Sequence, residues 1–130
     1  MTIPLWCLVV ACFLPYLWVP FTAKDRTGME GGFDNDNPRE QQAKLTGQAR
    51  RALGAHQNSF EALPLFTVGV LVTHITGADP DLTAALAITW VVARIIYGFI
   101  YISGKGNLRT AIFSVGLLAN AGMFVLAGMA

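Results

Sequence analysis

The sequence predicts an all-α integral membrane protein, a four-helix bundle of up-down-up-down topology forming one membrane domain over residues 1–130. Three observations carry this expectation. Of the 130 residues, 54% are hydrophobic and only 13% charged, with a mean hydropathy of +0.50, outside the usual soluble range. Four apolar segments are each long enough to cross a hydrocarbon core of roughly 30 Å at about 1.5 Å of rise per residue. The last three are joined by short turns, which make sequential helices antiparallel neighbours.

The first segment, Ile3 to Ala23, is apolar except for Thr22. No basic region precedes it and it is longer than a signal-peptide core, so it reads as a transmembrane helix rather than a cleaved signal. Pro15 and Pro20 are expected to kink it or end it early, because each removes a backbone donor. A polar cytoplasmic loop follows over residues 24–37, with the turn-forming run Gly31-Gly32-Phe33-Asp34-Asn35-Asp36-Asn37. The Asp34/Asp36 alternation resembles the opening of a calcium loop, but the glycine and terminal glutamate of that motif are missing, so no calcium site is expected. Asn37-Pro38-Arg39-Glu40 has the form of a helix start, with Asn37 as N-cap and Pro38 at the first helical position. The second helix is expected to run unbroken over 38–76. The third, over 82–103, follows the turn at Thr76-Gly77-Ala78-Asp79-Pro80-Asp81, and the fourth, over 108–129, follows Gly104-Lys105-Gly106-Asn107.

Charge and cysteine usage exclude several classes. A net charge of +1 with no aromatic-interleaved basic patch gives no nucleic-acid signal. Cys7 and Cys12 match neither a redox pair nor a zinc knuckle, and His56 and His74 would lie about 27 Å apart on one helix, so no metal site is expected. There is no internal repeat or matched pair of broken helices of the kind transporters use. Lys24, Arg26, Arg39, Lys44, Arg50 and Arg51 cluster around the first loop, and Lys105 and Arg109 flank the third connection. The positive-inside rule then puts both connections in the cytoplasm and both termini on the opposite side, as in a bacterial inner-membrane protein.

The functional signal is polar residues inside apolar spans. In the stretch from Arg50 to Pro64, Arg51, Gly54, Asn58, Glu61 and Leu65 share one helical face, and a carboxylate and an amide there need a partner or a wet cavity. The alternative is that Glu61 only locks two helices together. Arg94 is the second intramembrane charge, with Trp90, Tyr97 and Tyr101 on its face. Glu61 and Arg94 both count to about 15 Å inside the cytoplasmic boundary, which predicts an ion pair between them. On the fourth helix Arg109, Phe113, Gly116 and Asn120 share a face, with Arg109 at the cytoplasmic mouth. There Arg109 either holds an anion or serves as a snorkelling anchor.

With these residues in place, the chain resembles the family of membrane-associated proteins in eicosanoid and glutathione metabolism (MAPEG). The resemblance covers nearly the whole chain and rests on Arg51-Ala52-x-x-Ala55-His56-x-Asn58-x-x-Glu61-x-x-Pro64, Arg94-x-x-Tyr97-x-x-x-Tyr101 and Leu108-Arg109-Thr110. Gly32-x-Asp34-Asn35-x-Asn37-Pro38-Arg39 is similar to the loop of bacterial members. The resemblance implies a homotrimer that binds glutathione as cofactor between subunits near the cytoplasmic side and meets lipophilic substrates arriving from membrane lipid. It implies a cofactor pocket of Arg51, Asn58, Glu61, Arg94, Tyr97 and Tyr101, with Arg109 stabilising the thiolate and Thr110 offering a hydroxyl to the same sulfur. The activity implied is transfer of glutathione to an electrophile or reduction of a lipid hydroperoxide. Against it stands a non-catalytic lipid-binding or scaffold protein of the same fold.

The sequence also departs from the family pattern. Gly54 and Gln57 stand where catalytic members have arginines that grip the tripeptide's carboxylates, Tyr97 where some have histidine, and Phe113 where a tyrosine lies near the sulfur. Charge-assisted contacts of this kind contribute about 1.5–3 kcal/mol each. Lys24 or Arg26, at the end of the first helix, is the candidate to replace them across a subunit boundary.

Overall fold

The computed structural model describes residues 1–130 as six helices and no strand: α1 (Ile3–Leu17), α2 (Pro20–Thr27), α3 (Pro38–Ala43), α4 (Gly47–Thr76), α5 (Pro80–Ser103) and α6 (Gly106–Met129). Four helical stretches are long and apolar enough to cross a membrane: Ile3–Thr27, Gly47–Thr76, Pro80–Ser103 and Gly106–Met129. Large apolar side chains such as Trp6, Phe13, Phe99 and Leu118 stand on the outside of the bundle. In water they would be a liability, and in lipid they are the solvated surface. The chain is an integral membrane protein.

The expected single helix over 3–23 breaks at Trp18 and Val19. Pro20 has no N–H to give the Tyr16 carbonyl, so that carbonyl accepts from Val19 N at 3.3 Å instead. The Pro15 carbonyl is met from α4 by His56 Nδ1 at 2.7 Å. A carbonyl only accepts, so Nδ1 carries the proton. The second expected helix is also divided, at Lys44–Thr46. Thr46 is extended (φ −130°, ψ 172°), and Leu45 turns inward to pack with Ala49, Leu53 and Met29. Burial of one leucine and the left-handed backbone of Gly47 (φ 54°) thus separate α3 from α4. The loop between α2 and α3 is folded around Gln41, which is 6% exposed. Its Oε1 accepts from Arg26 Nε at 2.9 Å and from Asp34 N at 3.1 Å, and its Nε2 donates to Gly32 O at 2.7 Å. Asn37 precedes α3 without a side-chain cap; the Asp34 carboxylate takes the Asn37 and Asp36 N–H groups instead.

The two remaining turns are sharp. Gly77 (φ 70°) ends α4 and Gly104 (φ 80°) ends α5, both in the left-handed region that favours glycine. Asp79 caps α5 by accepting from Asp81 N and Leu82 N, with Pro80 at the first position. α4 and α5 form the centre, and α1 and α6 each pack on both. Lipid tails are as apolar as leucine, so helix association here relies on close packing and small residues rather than on hydrophobic transfer. The interfaces fit that account. Ala49, Ala52, Ala55, Ala87, Ala93 and Ala119 are all buried. Trp18 is fully buried on Gly98, where a Cβ would run into the indole, and its Nε1 donates to Ser59 Oγ at 3.0 Å. In the main core Phe66 stacks on Trp90 with centroids 3.8 Å apart and planes 6° from parallel.

Candidate functional site

The polar face of α4 and the aromatic face of α5 meet where Arg94, 4% exposed, crosses toward Asn58. Arg94 Nη2 donates to Asn58 Oδ1 at 2.7 Å and to the Asn58 carbonyl at 3.1 Å. Asn58 Nδ2 in turn donates to Glu61 Oε2 at 3.1 Å. The direct Glu61–Arg94 ion pair expected from depth counting is therefore replaced by a relay through Asn58. The reason is physical. An amide one turn before the carboxylate can accept from the guanidinium and donate to Glu61 at once, which leaves Glu61 exposed and spares it the cost of desolvation.

The arginine also lies against rings. Its guanidinium carbon is 4.3 Å from the Tyr97 centroid and 5.9 Å from that of Trp90. Tyr97 meets Tyr101 edge-on at 5.7 Å, and the Arg109 guanidinium lies 4.3 Å from the Tyr101 centroid. The result is a row along the α5–α6 seam in which two rings, Tyr97 and Tyr101, lie between two cations, Arg94 and Arg109. Each cation–ring contact is worth about 0.5–2 kcal/mol, depending on how dry it is. The Tyr101 hydroxyl rests on Gly54, where a Cβ would come within 2.6 Å of it. Any side chain at position 54 would displace Tyr101.

Other expected site residues are placed apart. Arg51 donates from Nε to Ile102 O at 2.9 Å and lies over Gly104, so it closes the C-terminal end of α5. Thr110 Oγ1 bonds back to Gly106 O at 3.2 Å, within its own helix. Arg26 is buried and held by Gln41 and by the Asp34 carbonyl at 2.9 Å, with Phe33 stacked on its guanidinium at 3.9 Å. It therefore serves the loop and is not the free cation the sequence suggested; Lys24 remains exposed. Arg109 is half-buried in the opening turn of α6, where the N-terminal end of a helix adds to its positive field.

A cavity of about 200 Å³ lies below this row, bounded by Asn58, Glu61, Trp90, Arg94, Gly116 and Asn120 with Ala62, Leu65, Phe113 and Leu117. Asn120 is 1% exposed, and neither atom of its amide has a hydrogen-bond partner; Arg94 Nε is likewise unpartnered. Asn120 is the residue that sequence reasoning left without a role. The available signal was an amide in the middle of an apolar span, on the same face as Arg109 and Gly116. Chemically, the arrangement offers cations and N–H donors on one side and apolar walls on the other.

The MAPEG family model matches residues 3–129 of the chain. No curated protein and no solved structure matches it.

Proposed function

The chain belongs to the MAPEG family, and from that premise we propose that it is a membrane-bound glutathione-dependent transferase or peroxidase acting on lipophilic electrophiles. The observation that carries this reading is the position of Arg109. Its half-buried guanidinium lies on the Tyr101 ring in the opening turn of α6, at the mouth of the seam. A cation at a helix N-terminus favours a thiolate over a thiol, and the thiolate is the nucleophile. The remaining residues fit glutathione in part. Glu61 offers a carboxylate to its ammonium and Asn58 an amide to its backbone, with Arg94 holding Asn58 in place and Tyr97 and Tyr101 walling the site. Its carboxylates find fewer partners, because Arg51 is engaged with α5 and Tyr101 fills the space beside Gly54. Lys24 of an adjacent subunit is the available cation. In this reading the protein is a homotrimer of up-down-up-down bundles in a bacterial inner membrane, with both termini on the non-cytoplasmic side and substrate entering laterally from lipid.

A second reading is favoured by the same engaged residues. With Arg51 and Thr110 bonded within the fold, the chain serves as a non-catalytic lipid-binding or scaffold protein. One titration separates the two. Purified protein is titrated with glutathione while thiolate absorbance is followed in the ultraviolet, beside Arg109→Ala. A thiolate signal that disappears in Arg109→Ala is the expected result. No signal at millimolar glutathione would rule out the enzyme.

A further inference from the structure

We propose that Gly54 is a positioning residue for the Arg109 cation: the space left by its missing side chain seats the tip of Tyr101, and the seated ring fixes the guanidinium at the mouth of the seam. Glycine is a poor choice in the middle of a long helix, where alanine is preferred. The backbone does not require it, because the left-handed residues are Gly31, Gly32, Gly47, Gly77 and Gly104. Nor does the close approach of another helix. The three atoms nearest to a Cβ at position 54 all belong to one side chain: Tyr101 Oη at 2.6 Å, Cζ at 2.8 Å and Cε1 at 3.2 Å. Gly54 is half-buried, whereas Ala52 and Ala55 beside it are sealed in the core. The notch at position 54 is therefore shaped for the end of a tyrosine ring.

The other contacts of Tyr101 show what that seat is for. Its ring packs against the cluster of Trp18, Ala52, Ala55 and Ile102 and meets Tyr97 edge-on at 5.7 Å. Over its face lies the Arg109 guanidinium, at 4.3 Å. Arg109 forms no hydrogen bond from its guanidinium to the protein, so this ring is what fixes the cation, while its N–H donors stay free for an anion. A methyl group at position 54 would overlap the Tyr101 hydroxyl and the ring carbon behind it. Tilting the tip of the ring off α4 moves the face on which Arg109 rests. The place of a cation on α6 is thus set through α5 by a side chain that α4 lacks. This role rests on the reading of Arg109 as the thiolate-stabilising cation, and adds the residue that aims it.

The test compares wild type, Gly54→Ala, Tyr101→Leu and the double variant, each purified in detergent and checked for folding by thermal unfolding. The first readout needs no glutathione. In protein carrying isotope-labelled arginine, the side-chain Nε–H resonance of Arg109, assigned by its loss in Arg109→Lys, reports the ring current of Tyr101. Gly54→Ala is expected to move that signal most of the way to its position in Tyr101→Leu, and the double variant to match Tyr101→Leu. The second readout is the pH midpoint of thiolate absorbance with bound glutathione. A cation beside an ionisable group shifts its pKa by about 1–3. Gly54→Ala and Tyr101→Leu are therefore each expected to raise the midpoint by about one pH unit, an about tenfold loss of thiolate below the midpoint, and the double variant by no more than either. An Arg109 signal unmoved by Gly54→Ala, or a further effect of Gly54→Ala in the Tyr101→Leu background, would overturn the proposal, because the glycine would then act by leaving room for a ligand and not through the ring. If Gly54→Ala fails to fold while the double variant folds, the clash with Tyr101 is demonstrated, and an unchanged midpoint in Tyr101→Leu becomes the overturning result. Failure of both to fold would place the need for glycine in helix packing and overturn it too. Absence of thiolate in the wild type would remove the glutathione reading and leave the first readout standing.

Discussion

Arg94 shows how a single charge is made tolerable at depth: its cost is shared among an amide, a backbone carbonyl and two aromatic faces. Removing the amide is the most direct probe. Asn58→Leu leaves Arg94 Nη2 only the backbone carbonyl of residue 58 and is expected to cost about 1.5–3 kcal/mol in thermal or denaturant unfolding, as for other hydrogen bonds to charged groups. Glu61→Gln is expected to cost much less, because the carboxylate is exposed and touches the relay only through Asn58. An equal loss in both would restore the direct ion pair. Helical periodicity gives face and depth, so the meeting of α4 and α5 polar residues near Arg94 was legible in the sequence. Which side chain reaches across was not, because Asn58 and Glu61 differ by one turn and either could. Steric fit decides another residue. Gly98→Ala pushes a methyl into the Trp18 indole and is expected to cost about 1–3 kcal/mol, with altered Trp18 emission.

At the scale of the element, proline and glycine explain some boundaries and tertiary packing explains the others. Pro20 and the glycines at 77 and 104 act through their own backbone, so breaks there can be read from the chain. The break at Thr46 is only partly of this kind. Gly47 is left-handed at φ 54°, but the break also depends on Leu45 burying itself against Met29, which lies across the loop. The gap between α1 and α2 has its own long-range support in His56. His56→Phe leaves the Pro15 carbonyl without its donor from α4 and is expected to destabilise the fold by about 1–3 kcal/mol, measured by thermal unfolding. Gln41 plays the corresponding part for the loop. Gln41→Ala removes bonds to Arg26, Gly32 and Asp34, and is expected to raise protease cleavage between residues 28 and 37 while leaving the spans intact.

The whole molecule carries its polar groups inside and much of its large apolar surface outside, from Trp6 and Phe13 on α1 to Leu118 and Val125 on α6. Part of that surface is expected to face other copies of the chain. Native mass spectrometry from mild detergent is expected to give three chains per particle; a stable monomer would remove the adjacent subunit from which Lys24 is proposed to act. The stack of Phe66 on Trp90 has a use of another kind. Of the three tryptophans, Trp6 points outward, Trp18 is sealed on Gly98, and Trp90 alone borders the cavity. Its indole is thus a built-in optical probe of a space that has no chromophore of its own. In a Trp6→Phe, Trp18→Phe background, the remaining emission becomes a direct readout of when that space is filled.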